Sequence, residues 1–141
     1  MQVRCWEVQG NGTTVAKAAH SHEGPVLCSA WSGDGTRVFS GGCDNKAKCW
    51  SLQTGQSSVV AQHAAPIKGV SWVDEMNCLV TGSWDKTVKY WDGRSNTPVH
   101  TAQLPERVYC MDVKYPLAVV GTADRSILIY DLRKPNVEFK V

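Results

Sequence analysis

Thr81-Gly82-Ser83-Trp84-Asp85-Lys86-Thr87-Val88-Lys89-Tyr90-Trp91-Asp92 decides the fold, because it combines a small-residue strand end, a turn around aspartate and an alternating strand that closes on Trp-Asp. The same pattern stands 41 residues upstream, as Ser40-Gly41-Gly42-Cys43-Asp44-Asn45-Lys46-Ala47-Lys48-Cys49-Trp50. A third copy begins 39 residues downstream, with Val120-Gly121-Thr122-Ala123-Asp124-Arg125-Ser126 and its closing Tyr130-Asp131. Working outward, His22-Glu23-Gly24-Pro25-Val26 matches His63-Ala64-Ala65-Pro66-Ile67 and then Leu104-Pro105-Glu106-Arg107-Val108, each 41 residues after the last. Three separate landmarks held in one register make the chain a tandem repeat with a period near 40 residues.

Each unit reads as four short strands. In the first full unit they are Val26 to Trp31, Val38 to Gly41, Ala47 to Trp50 and Ser57 to Ala61, with Ser32-Gly33-Asp34-Gly35 as a turn. The second gives Ile67 to Trp72, Cys78 to Gly82, Val88 to Trp91 and Val99 to Gln103. The third gives Arg107 to Val113, Val119 to Thr122, Ser126 to Tyr130 and Val137 to Val141. A His near the start and Trp-Asp at the end of a 40-residue unit resemble the WD40 repeat, which implies an all-β fold, a β-propeller with one four-stranded blade per unit. The units are residues 1–20 (the end of a first blade, from Val3-Arg4-Cys5-Trp6), 21–61, 62–103 and 104–141. Propellers close with about four to eight blades and about three and a half are present, so the expectation is a partial ring, a fragment or truncated product whose exposed end flanks favour self-association.

The resemblance to WD40 repeats implies a buried chain of hydrogen bonds in each blade. Its members are His22, Ser40, Asp44 and Trp50 in one repeat and His63, Thr81, Asp85 and Trp91 in the next. A histidine, a hydroxyl and an aspartate are also the ingredients of a hydrolytic triad. Their recurrence with the period of the fold, and the lack of a G-x-S-x-G turn, make them architecture instead. The third unit carries Leu104, Val120 and Tyr130 at the His, Ser/Thr and Trp positions, so the chain of bonds is not expected there.

Composition narrows the function. Hydrophobic residues make up 43% and charged residues 20%, the range of a globular chain, and the net charge of +2 is spread without a basic block that would announce nucleic acid. The six cysteines show no C-x-x-C or Cys/His spacing, which reads as free thiols with no metal. No Gly-rich phosphate loop or isolated nucleophile and base pair is present, so neither an enzyme nor a cofactor is expected, and no apolar stretch is long enough for membrane insertion.

Beyond the repeat, Val3-Arg4-Cys5-Trp6-Glu7-Val8-Gln9, the Thr81 to Asp92 stretch, Gln103-Leu104-Pro105-Glu106-Arg107 and Tyr115 to Arg125 together resemble the WD40 nuclear mRNA export factors of the Rae/Gle type. The Thr81 to Asp92 stretch is similar to the Bub-type mitotic checkpoint proteins as well. The export-factor resemblance implies a protein of the nucleus and nuclear pore complex, present also in the cytoplasm. Its partner would be an acidic Gle-binding segment of an FG-repeat nucleoporin, and a second role would lie at the spindle. Recognition of an acidic segment calls for basic and aromatic anchors on one face. Trp84, Lys86, Glu106, Arg107 and Arg125, beside the repeat landmarks, are the candidates, each also readable as packing or as solvated surface charge. RNA, contacted through pairs such as Arg107 with Tyr109, stays open, as do a checkpoint adaptor and a scaffold such as a ubiquitin-ligase substrate receptor.

Overall fold

The computed structural model describes residues 1–134 and 138–140. They form a partial propeller of antiparallel sheets, each a simple meander. A two-stranded ribbon pairs β1 (Gln2–Val8) with β2 (Thr14–Ser21). The first four-stranded sheet holds β3 (Val26–Trp31), β4 (Arg37–Gly42), β5 (Lys46–Ser51) and β6 (Ser57–Gln62). The second holds β7 (Ile67–Val73), β8 (Cys78–Ser83), β9 (Thr87–Trp91) and β10 (His100–Gln103), and the third β11 (Val108–Lys114), β12 (Leu117–Thr122), β13 (Ile127–Asp131) and β14 (Glu138–Lys140). Most expected strands lie within a residue or two of these bounds; Val137 and Val141, the ends of the last one, fall outside the described residues. Thr14–Ser21 is a strand although its sequence, rich in alanine and polar residues, shows no alternating pattern.

Innermost strands stack on one another, β7 against β3 and β4 on one side and against β11 on the other. The middle sheet is therefore buried on both faces, and every residue of β8 is buried. Leu79 and Trp91 face one way, into a core with Phe39, Ala47, Ile67 and Val70. Val80, Val88 and Tyr90 face the other way, into a core with Val108, Val120 and Leu128. Burying one such aliphatic side chain stabilises the fold by about 1.5–3 kcal/mol. Close stacking needs glycine at Gly41 and Gly82: a Cβ on Gly41 would stand 2.6 Å from Ile67 Cγ2, and one on Gly82 3.2 Å from Val108 Cγ1. In the third sheet β12 alternates, leaving Leu117 and Val119 exposed on its outer face.

Two features recur with the repeat. The innermost strand of each sheet bulges at Leu27, Lys68 and Tyr109, where the register skips one residue and re-aims the side chain. Lys48 and Lys89 each reach back to the strand end of the preceding sheet, donating to the Ser21 carbonyl at 2.7 Å and the Gln62 carbonyl at 3.4 Å. The strands run so that residues 63–66, 84–86, 104–107 and 123–126 gather at one end of the blades, hereafter the turn end. Residues 32–36, 74–77 and 92–99 lie at the opposite end.

Candidate binding face and its buried supports

The middle sheet carries a complete hydrogen-bonded chain. His63 Nδ1 donates to Asp85 Oδ2 at 2.8 Å, and the Thr81 hydroxyl donates to His63 Nε2 at 2.7 Å. Thr81 Oγ1 in turn accepts from the Trp91 indole N–H at 2.9 Å. This tautomer follows from the partners: the carboxylate needs a proton facing it, and the indole can only donate. Asp85 also accepts from the backbone of Ala64 and Thr87 and from the Thr87 hydroxyl at 3.1, 3.0 and 2.6 Å. Burial alone would push its carboxyl up, but the Thr87 hydroxyl and His63 more than offset this and hold it below the usual range. His63 is held below its ordinary value, chiefly by burial and against the pull of Asp85. One network thus pins the segment before β7, strand β8, the β8–β9 turn and strand β9.

The sheet before it departs from expectation at one residue. His22 links Asp44 and Ser40 at 2.8 Å each, the same arrangement as His63. The Trp50 indole N–H, however, has no hydrogen-bond partner among the described residues, although the ring is 1% exposed. Its place is taken by His20, whose Nε2 lies 3.2 Å from Ser40 Oγ and whose ring packs on Trp50 at 5.0 Å. With the single Ser40 proton directed to His22, His20 is the donor and its Nδ1 is left a bare acceptor, also unpartnered. A neutral imidazole suits that setting, and burial foremost, then His22 and Lys48, holds the His20 pKa down. Trp50 therefore packs in this network rather than bonding within it.

Asp44, His22 and Ser40 have the connectivity of a nucleophilic triad, yet Ser40 is fully buried and its oxygen is shared between two imidazoles. No substrate carbonyl can approach it. In the third sheet Leu104, Val120 and Tyr130, which stand at the positions of His63, Thr81 and Trp91, sit in the buried apolar cluster. Asp124 keeps its turn role, accepting from the Thr122 hydroxyl at 2.6 Å.

Above these supports, at the turn end, stand the five candidates for partner contact. Lys86 and Arg125 occupy equivalent turn positions, each just after the aspartate, with φ of 67° and 69°. Asn45 holds the same place in the first full sheet at 64°. Left-handed backbone disfavours a side chain by roughly 1–2 kcal/mol, and the aspartate sustains it by capping the turn, as Asp85 does for Thr87. Lys86 bridges to Glu106 at 2.6 Å, and the other Glu106 oxygen accepts the Arg107 amide at 2.9 Å. The Lys86 hydrogen bond foremost holds the Glu106 carboxyl below its ordinary range. Arg107 is exposed, with its guanidinium 5.5 Å from the Tyr109 ring centroid, and its carbonyl accepts from Ala123 beside the Arg125 turn. Trp84 remains 38% exposed. Lys86, Glu106 and Arg107 are thus in direct contact, and Trp84 and Arg125 share their end of the blades.

A repeat family described as "WD domain, G-beta repeat" matches residues 10–51 and 55–92, more than half of the chain. The chain belongs to the WD40 family. The matched WD40 residues take in both buried histidine networks and end before the third sheet, the one whose His, Ser/Thr and Trp positions are apolar or aromatic. This WD40 chain is 51% identical to "Protein Rae1" of Drosophila melanogaster, over 98% of its own length and 40% of the relative's. It is 48% identical to the "Poly(A)+ RNA export protein" of Schizosaccharomyces pombe, over 99% and 41%. Against the "mRNA export factor" of Xenopus tropicalis the identity is 55%, over 98% and 38%. The chain therefore resembles WD40 export factors of the Rae/Gle type and spans about two fifths of their length. Among the described residues no helix is long and apolar enough to cross a membrane, and no group of three or more His, Cys, Asp or Glu is placed to hold a metal ion.

Proposed function

We propose that this WD40 chain is part of a non-enzymatic binding platform for messenger RNA export at the nuclear pore, taking an acidic segment of an FG-repeat nucleoporin on its turn end. The supporting observation is the pair Lys86 and Arg125, long basic side chains held on left-handed backbone at equivalent turns of adjacent blades. The same φ at Asn45 makes the conformation a property of the turn, and what distinguishes these two turns is the exposed basic side chain that each presents at the same end. Trp84 and Arg107 stand exposed at the same end and supply an apolar anchor and a further guanidinium for carboxylates. Glu106 acts as an internal counter-ion that holds Lys86 until a partner carboxylate shares it. The names of the relatives, which speak of RNA export, support the pathway.

The test is fluorescence anisotropy of a labelled acidic Gle-binding segment against the wild-type chain and the Lys86→Glu/Arg107→Glu double variant. Charge reversal at both sites is expected to weaken binding by at least about tenfold and to leave the melting temperature near wild type, because both side chains are exposed. Wild-type affinity shrinking with added salt belongs to the same expectation. Unchanged affinity in the double variant removes the turn end from the interface.

A further inference from the structure

A second site lies at the opposite end of the blades, in the crevice between the β3–β6 and β7–β10 sheets. It has a volume of about 280 Å³, below the roughly 300–1,000 Å³ of small-molecule sites, and so fits one or two side chains rather than a cofactor. Its floor is apolar, made by Phe39, Val60, Leu79 and Trp91. At its mouth the Arg37 guanidinium lies 4.5 Å from the Trp72 ring centroid and 5.7 Å from that of Phe39, and the two rings stack at 5.0 Å and 7°. The indole N–H of Trp72 donates to Asp74 at 2.8 Å, which fixes the platform. Among the described residues the Arg37 guanidinium makes no hydrogen bond or ion pair. Its N–H fork is therefore oriented by aromatic packing and left without an acceptor.

We propose that this crevice binds a short peptide segment in which an aspartate or glutamate stands beside an aliphatic residue. The carboxylate meets the Arg37 fork in bidentate fashion, and the aliphatic side chain fills the floor between the blades. Arg94, exposed at the rim, adds a second cation, while the Asp92 carboxylate is turned to the Arg94 amide at 2.9 Å. A nucleic acid fits less well. Asp74 and Asp92 beside Arg37 and Arg94 leave little net charge for successive phosphates, and the Phe39 and Trp72 faces are taken by each other and by Arg37 rather than offered to a base. The crevice and the Lys86 face lie at opposite ends of the blades, so occupation of one leaves the other open.

The experiment uses the full 141-residue chain and a fluorescein-labelled, end-blocked Gly-Leu-Asp-Leu-Gly peptide, with the Asn-for-Asp peptide and hexauridylate as competitors. The aspartate peptide is expected to bind, the asparagine peptide at least about tenfold more weakly, and hexauridylate is expected not to compete. Arg37→Gln and Ser58→Glu should each weaken binding by about tenfold or more. Ser58 is an exposed rim residue, so its new carboxylate occupies Arg37 without disturbing the core, and the melting curve stays in place. No binding of the aspartate peptide, equal binding of the asparagine peptide, displacement by hexauridylate, or full affinity in Ser58→Glu each overturns the proposal.

Discussion

Replacing each network tryptophan by phenylalanine separates the two buried chains. Trp50 and Trp91 are 1% and 2% exposed, so both substitutions lose a similar amount of packed ring. The Trp91 N–H donates to Thr81 at 2.9 Å. Its loss removes a buried hydrogen bond and leaves the Thr81 oxygen short of a donor, a penalty of about 1–3 kcal/mol beyond the ring itself. The Trp50 N–H has no partner among the described residues, and its removal relieves a desolvation penalty of the same order. Trp91→Phe should therefore be less stable than Trp50→Phe by at least about 2 kcal/mol. Urea unfolding followed by circular dichroism gives the two values on one scale. Equal midpoints, or Trp50→Phe the weaker, would show that the Trp50 N–H has an acceptor in solution.

Stability should fall in two stages as pH is lowered. His20 and His63 are held below their ordinary value chiefly by burial. The unfolded chain thus binds more protons than the folded one below about pH 6.5, and stability declines from there downward. Asp44 and Asp85 are held below the carboxylate range by their donors, despite burial, so their contribution is intact above about pH 4 and is lost as pH falls through their folded values. Urea midpoints measured across this range check both steps, and a flat profile between about pH 7 and 5 rules out the buried neutral histidines. Gly41→Ala should destabilise by about 1–3 kcal/mol, since its Cβ would press on Ile67 between the sheets, and a neutral result would mean that the blades separate freely. Trp91→Ala should shift a thermal melt more than Tyr130→Ala, because it removes the larger buried ring together with the indole bond to the Thr81 hydroxyl; equal shifts would contradict this.

The fold was legible because it repeats. His22 and His63, Ser40 and Thr81, and Asp44 and Asp85 recur at one spacing, and the structure joins each set with the same atoms. Two features of the first blades do not follow from the repeat so simply. His20 corresponds to Ala61 one period later, a buried methyl where the first full sheet has an imidazole, so nothing in the repeat singled it out as the donor to Ser40. Thr14–Ser21 stands one period before Ser57–Gln62, but it mixes alanine with polar residues and shows no alternation of its own, so only the ribbon pairing defines it. The grouping of Lys86, Glu106 and Arg107 followed from their places beside the repeat landmarks. That both Glu106 oxygens are engaged within the chain depends on how the β10–β11 segment passes the β8–β9 turn, which spacing does not encode. The Arg37 crevice exists only once two blades stack and bring Trp72 under a residue 35 positions earlier.

The most direct measurement is affinity capture of the tagged chain from nuclear extract, with mass spectrometry of what it retains and the Lys86→Glu/Arg107→Glu variant run in parallel. The proposal that this is an export platform predicts an FG-repeat nucleoporin carrying an acidic Gle-binding segment on the wild-type chain, and its loss from the variant. Capture of checkpoint kinases or ubiquitin-ligase subunits in its place, or equal nucleoporin recovery on both chains, would contradict it.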